Sequence, residues 1–135
     1  MSDAMRPMPQ ITPVSAAFWE GCREGVLRVQ ECMECGHLQF YPRSLCTACA
    51  STNLGWRTVS GAGTLYAATV IRRAPSQFFA GRAPYVLAIV ELDEGPRMMA
   101  NIVDCDVDSV RVGIRVRVTF EQVSEEISLP QFRLT

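Results

Sequence analysis

Four of the six cysteines fall into two pairs, Cys32-Met33-Glu34-Cys35-Gly36 and Cys46-Thr47-Ala48-Cys49. In a C-x-x-C unit both sulfurs of one tight knuckle reach a single ion, and two knuckles supply four thiolates for a tetrahedral site with Zn–S near ~2.3 Å. Four protein ligands leave no open position for water or substrate, so the expected zinc is structural and not hydrolytic. A redox dithiol and a rubredoxin-like iron centre are the competing uses of this spacing. His37, the only histidine, is expected to sit exposed on the first knuckle. It has no adjacent nucleophile or orienting carboxylate, so catalysis by this chain alone is not expected. Cys22 reads as a small buried apolar side chain and Cys105, among Asp104, Asp106 and Asp108, as a loop residue. Neither has a basic neighbour to lower its pKa. Asp93-Glu94 resembles paired carboxylates on paper, but adjacent strand residues point to opposite faces and a hairpin glycine follows.

These residues must be positioned by a chain of 135 residues, enough for one compact domain plus a small module. Hydrophobic residues make up 48% and charged residues 20%, which excludes a disordered body. All 13 basic residues are arginine, against 14 acidic ones. Binding a divalent ion through four thiolates would take the formal charge of −1 lower still, so bulk attraction to nucleic acid is not expected. Met1 to Pro13 carries three prolines and no apolar run of signal length, which predicts an extended lead-in and a cytoplasmic, non-membrane protein. In a reducing compartment paired cysteines read as metal ligands.

Phe18, Trp19, Cys22, Val26 and Leu27 recur at roughly helical spacing, predicting a short amphipathic helix from about Ser15 to Glu24 that ends at Gly25. Gln30 to Trp56 is dense in turn residues, with apolar side chains too scattered for a core of their own. From Gly61 the pattern turns to β. Strands are expected over Thr64–Arg73, Tyr85–Leu92, Arg97–Val103, Arg115–Gln122 and Ser128–Leu134, with Pro130 confining the last to an edge or a bulge. Five short antiparallel strands led by Gly61 and Gly63 fit a closed barrel of the OB type, with a small sandwich as the alternative. The expected fold is mainly β: an N-terminal extension and helix (1–29), a rubredoxin-like zinc ribbon (30–56) and a five-stranded OB-fold barrel (57–135).

With these segments placed, the chain resembles the zinc-ribbon OB-fold acyl-CoA-associated proteins, formerly domain of unknown function 35. The resemblance runs through Phe18-Trp19, the two knuckles, Tyr41-Pro42-Arg43, Trp56, Ser60-Gly61-Ala62-Gly63-Thr64, Pro84-Tyr85-Val86, Glu91-Leu92-Asp93-Glu94-Gly95, Val112-Gly113 and Leu129-Pro130-x-Phe132-Arg133. It departs at Ala50, where family members often place glycine after the second knuckle.

The resemblance implies a non-catalytic acyl-CoA-binding and assembly subunit of a thiolase-like enzyme, or of a hydratase, in lipid, sterol or polyketide metabolism. Coenzyme A presents a flat adenine and several phosphate charges, so its site wants arginine forks beside aromatic faces. Arg72, Arg73 and Arg82 around Phe78-Phe79 are the candidates for CoA or partner contact. Arg43 is a further one, serving to bridge ribbon and barrel or to face CoA. The rival reading is a single-strand nucleic-acid module, since ribbons and OB barrels both occur there. Net acidity and the lack of lysine weigh against it.

Overall fold

The computed structural model describes residues 8–73 and 77–135. The first seven residues of the expected lead-in lie outside the described residues. Helix α1 spans Ala16–Glu24 and buries Phe18, Gly21 and Cys22. It stops at Gly25, where the Gly25 amide donates to the Cys22 carbonyl and the Val26 amide to that of Gly21.

The turn-rich segment contains strands that the sequence pattern did not reveal. β1 (Leu27–Cys32), β2 (Leu38–Gln39) and β3 (Leu54–Val59) form an antiparallel sheet in the order β2-β1-β3. Leu27 stands opposite Val59, and these two with Val29 join the same buried cluster as Phe18 and the barrel interior. The ribbon therefore borrows its core from the barrel. Each buried aliphatic side chain contributes roughly 1.5–3 kcal/mol relative to exposure, so this sharing offsets the ribbon's small size.

The barrel is closed, in the order β4-β5-β6-β8-β7, which is the OB arrangement and excludes a sandwich. Its strands are β4 (Ala62–Ile71), β5 (Tyr85–Leu92), β6 (Arg97–Ile102), β7 (Arg115–Gln122) and β8 (Ser128–Leu134). A short helical turn, α2 (Gln77–Ala80), lies between β4 and β5. β5 shows why the chain closes this way: Val86, Ala88, Val90 and Leu92 are all buried while the residues between them are not. β4 ends two residues sooner than its composition predicts, and its register shifts between Leu65 and Ala67.

Closure is uneven. β7 pairs with β8 over seven residues, but β6 meets β8 in a single parallel bridge, Ile102 opposite Phe132. Pro130 lies opposite Phe120 of β7, on the stretch of β8 that β6 leaves unpaired. A residue without an amide proton costs nothing there. The result is a seam in the barrel wall.

The passage from ribbon to barrel is tight. The Gly61 carbonyl accepts from the Val118 amide at 2.7 Å. A Cβ on Gly63 would lie 2.6 Å from the Glu91 carbonyl oxygen and 2.8 Å from Val90 Cγ1. Backbone cannot yield as a flexible side chain can, so Gly63→Ala is expected to destabilise the fold by about 1–3 kcal/mol. Urea denaturation of the two proteins checks this, and equal midpoints would refute it.

Candidate metal centre and seam cavities

β1 ends at Cys32, and the chain curls until the Gly36 amide donates to the Cys32 carbonyl at 2.9 Å. The second knuckle repeats the turn, with the Ala50 amide donating to the Cys46 carbonyl at 2.9 Å. Together they bring the sulfurs of Cys32, Cys35, Cys46 and Cys49 within 4.8 Å of one another. Across the knuckles, Cys32 and Cys49 stand 3.6 Å apart and Cys35 and Cys46 3.7 Å. A tetrahedral ion with Zn–S of ~2.3 Å requires sulfur–sulfur edges of about 3.8 Å, so the donor set fits zinc. Amides of Cys35 and Ala48 donate to the sulfurs of Cys32 and Cys46 at 3.4 and 3.3 Å, which favours thiolate.

The charge balance points the same way. Cys32 is lowered to about 6, first by the Cys35 amide and further by that of Glu34, against the effect of burial. Cys49 is pushed up to about 12: the Ser51 amide pulls it down, but the sulfurs of Cys32 and Cys35 outweigh it. One thiolate forms readily here, whereas four need a cation among them. His37 lies outside this group, exposed, with Nε2 3.1 Å from Thr47 Oγ1.

Two buried glutamines hold the loop between the knuckles, and nothing in the composition announced them. Gln39 Nε2 donates to Gln30 Oε1 at 2.8 Å and to the Leu45 carbonyl at 3.1 Å, while Gln39 Oε1 accepts from the Thr47 amide at 2.9 Å. Gln30 takes the Arg43 amide at 2.7 Å and returns a bond to the Arg43 carbonyl at 2.9 Å. The only available clue was their direct opposition, Gln30 to Gln39, in strands that sequence reading did not draw.

The loop so held carries Phe40 and Tyr41 to the barrel. Phe40 stacks 5.1 Å from Phe18, and the Tyr41 hydroxyl accepts from the Met99 amide at 3.1 Å. The bridge expected of Arg43 is thus made by Tyr41, because Gln30 ties the Arg43 backbone into the ribbon and the Arg43 side chain is exposed. Beneath Tyr41, at the seam, is a cavity of about 540 Å³ with an apolar lining that includes Trp19, Phe40, Leu87, Met98, Met99 and Pro130. A second cavity of about 280 Å³, bounded by Phe79, Arg82 and Tyr85, abuts it, and Asn101 and Gln131 line both.

The arginine candidates are only partly gathered. Arg82 reaches the second cavity, lies 4.9 Å over the Phe78 ring and pairs with Glu121 at 3.6 Å. Phe78 and Phe79 stand edge to face on α2. Arg72 and Arg73 are exposed at the bend after β4 and line neither cavity. The two carboxylates of the β5–β6 turn do unrelated work. Asp93 grips Arg115 with two bonds of 2.7 Å, which hold its carboxyl below the usual range, and Glu94 accepts from the Ser60 amide at 3.0 Å. Burial pushes the Cys22 thiol up to about 12, so it is an inert core group. Cys105 lies in the loop after β6, half-buried.

Comparison with known proteins matches two adjoining family descriptions. "ChsH2, rubredoxin-like zinc ribbon domain" covers residues 19–55, and "ChsH2, C-terminal OB-fold domain" covers residues 56–121. A DUF35 domain-containing scaffold protein of Methanothermobacter thermautotrophicus is 41% identical, over 71% of this chain and 72% of the relative. A probable enoyl-CoA hydratase alpha subunit of Thermomonospora curvata is 35% identical over 96% of this chain, which spans 40% of that relative's length. Among solved structures, the Ltp2-ChsH2(DUF35) aldolase superposes with a TM-score of 0.84 at 31% identity, covering 94% of this chain and 98% of the other.

Two outcomes follow from the knuckle geometry. Cys35→Ser is expected to bring bound zinc well below one ion per chain, as read by elemental analysis of protein purified without chelator; undiminished metal would contradict it. Gly36 and Ala50 hold equivalent places with φ of 78° and 64°, and alanine is strained in that left-handed region. Ala50→Gly is therefore expected to stabilise the protein by about 1 kcal/mol, measured by chemical denaturation.

Proposed function

This chain belongs to the ChsH2 family of zinc-ribbon OB-fold proteins, the DUF35 proteins, and from that premise we propose that it is a non-catalytic, acyl-CoA-binding assembly subunit of a thiolase-like enzyme. The observation that carries the reading is the pair of cavities along the β6–β8 seam. Their chemistry is graded as a coenzyme A thioester is graded. The apolar chamber of about 540 Å³ suits the acyl and pantetheine portion, and its size lies within the range of small-molecule sites. Asn101 and Gln131, common to both cavities, supply amide groups at the midpoint, where pantetheine has its own amides. Beyond them, Arg82 and the aromatic pair Phe78 and Phe79 offer a guanidinium and ring faces to phosphate and adenine.

In this reading zinc, bound by Cys32, Cys35, Cys46 and Cys49, is structural, and the bond-making groups belong to the partner. The relatives' names support the assignment: one is a scaffold protein, one an alpha subunit of an acyl-CoA enzyme, and one a domain of an aldolase complex. Lipid or steroid metabolism is the setting that fits such partners.

The test is co-expression with a thiolase-like protein from the same organism, followed by calorimetric titration of the assembly with an acyl-CoA. Met99→Glu and Arg82→Glu are each expected to weaken acyl-CoA binding at least tenfold. Reversing the charge of Arg72 and Arg73 asks whether the nucleotide end extends to that bend. Dissociation constants unmoved by Met99→Glu and Arg82→Glu alike would remove the seam as the acyl-CoA site.

A further inference from the structure

Among the described residues five arginines answer to carboxylates: Arg28 to Glu20 and Glu24, Arg57 to Glu31, Arg82 to Glu121, Arg97 to Glu91 and Arg115 to Asp93. Of the described arginines without such a partner, Arg23, Arg43, Arg72, Arg73 and Arg111 lie on α1 or in loops, and Arg117 on β7 and Arg133 on β8 are the ones that stand on strands. Both are exposed, and the strand register sets them directly opposite each other. Among the described residues no carboxylate lies within 4.0 Å of either. Residues facing each other across antiparallel strands have Cβ atoms about 4.5–5.5 Å apart, and like charges so placed repel.

The pair cannot escape this by slipping. Val116 and Phe132, their strand neighbours, are completely buried, and a one-residue shift would turn both into solvent. Arg115, on the same face of β7, is held by Asp93, so on this strand pair the uncompensated charge is that of Arg117 and Arg133. Neither lines either seam cavity, and they stand on an outer strand face. A small anion there would be gripped from one side only, whereas small-ligand sites are concave. Two planar forks on an outer barrel wall, outside any cleft, suit a protein surface that presents carboxylates. The chain as a whole is slightly acidic, so the patch is a local reversal of sign.

We propose that Arg117 and Arg133 form a docking pair for carboxylates on the surface of the enzyme subunit with which this chain assembles. The proposal rests on the assembly reading above, but its test separates the two. In the first arm, arginine side-chain Nε signals of the full chain are followed by NMR during titration with hexaglutamate and, separately, with inorganic phosphate. Shifts at Arg117 and Arg133 with hexaglutamate, absent in Arg117→Gln/Arg133→Gln, support the pair. No shift, or an equal response to phosphate, overturns it in favour of a surface without selectivity for carboxylates.

In the second arm, the co-expressed complex with the thiolase-like protein is measured at low and high salt with Arg117→Glu/Arg133→Glu. Affinity at least tenfold weaker at low salt, with the difference shrinking at high salt, is the expected result. Full affinity in the charge-reversed chain overturns the proposal even if the complex forms. If the wild-type chain does not bind that protein at all, the assembly reading falls and the hexaglutamate arm alone decides whether the pair recognises carboxylates. Sedimentation covers one other occupant. Low-salt self-association that disappears in the variant would seat a second copy on the pair, through its acidic loop of Asp104, Asp106 and Asp108, and would overturn the heterologous partner.

Discussion

Four thiolates drawn from two turns and held within 4.8 Å of one another can coexist only around a cation. Thiolates at such separations repel, and the opposed shifts of Cys32 and Cys49 express that conflict. The turns have little apolar burial to hold them. Between the knuckles the exposed stretch from Tyr41 to Leu45 contributes nothing to the buried cluster apart from Phe40 beside it. A metal closing this loop supplies folding free energy that hydrophobic burial does not.

The glutamine pair extends the order outward from the metal. Gln39 binds the Thr47 amide one residue from Cys46, and Gln30 binds both backbone groups of Arg43. A buried amide without a partner costs about 1–3 kcal/mol, so each glutamine makes a loose loop expensive. Tyr41 is thereby delivered to the free edge of β6, where its hydroxyl takes the Met99 amide that no strand partner claims.

Much of this was legible in the sequence. The knuckle spacing, the alternation in Tyr85–Leu92 and Arg115–Gln122, and the Pro130 exclusion all report local physics, and the barrel strands appear where those signals lie. What stayed hidden depends on register. β1 has the apolar pattern of half a strand, and its buried Gln30 looks like a surface residue until Gln39 is placed beside it. Likewise Tyr41 lies 58 positions from Met99, and no periodicity joins them. Arg43 carries the conspicuous guanidinium, yet the phenol two residues earlier makes the bridge. Adjacency in sequence does not gather the arginines in space: Arg82 and Phe79 meet at a cavity, while Arg72 and Arg73 stand at a solvent bend.

The seam is the feature that connects these parts. The barrel interior is filled by side chains such as Val90, Val116 and Phe132, which are completely buried. At the seam a proline and a single bridge leave β6 and β8 apart, and the space is roofed by α1 and by the ribbon loop instead of by a neighbouring strand. Trp19, Phe40 and Tyr41 form that roof, and two of them stand on the loop that the metal and the glutamines hold in place. A metal that lines no part of the seam cavity can therefore still determine whether that cavity has a ceiling. Removing it would act first on the 40–47 loop, next on the Tyr41 contact, and only then on the cavity, while the barrel ladders β4-β5-β6 and β7-β8 have no direct stake in the ion.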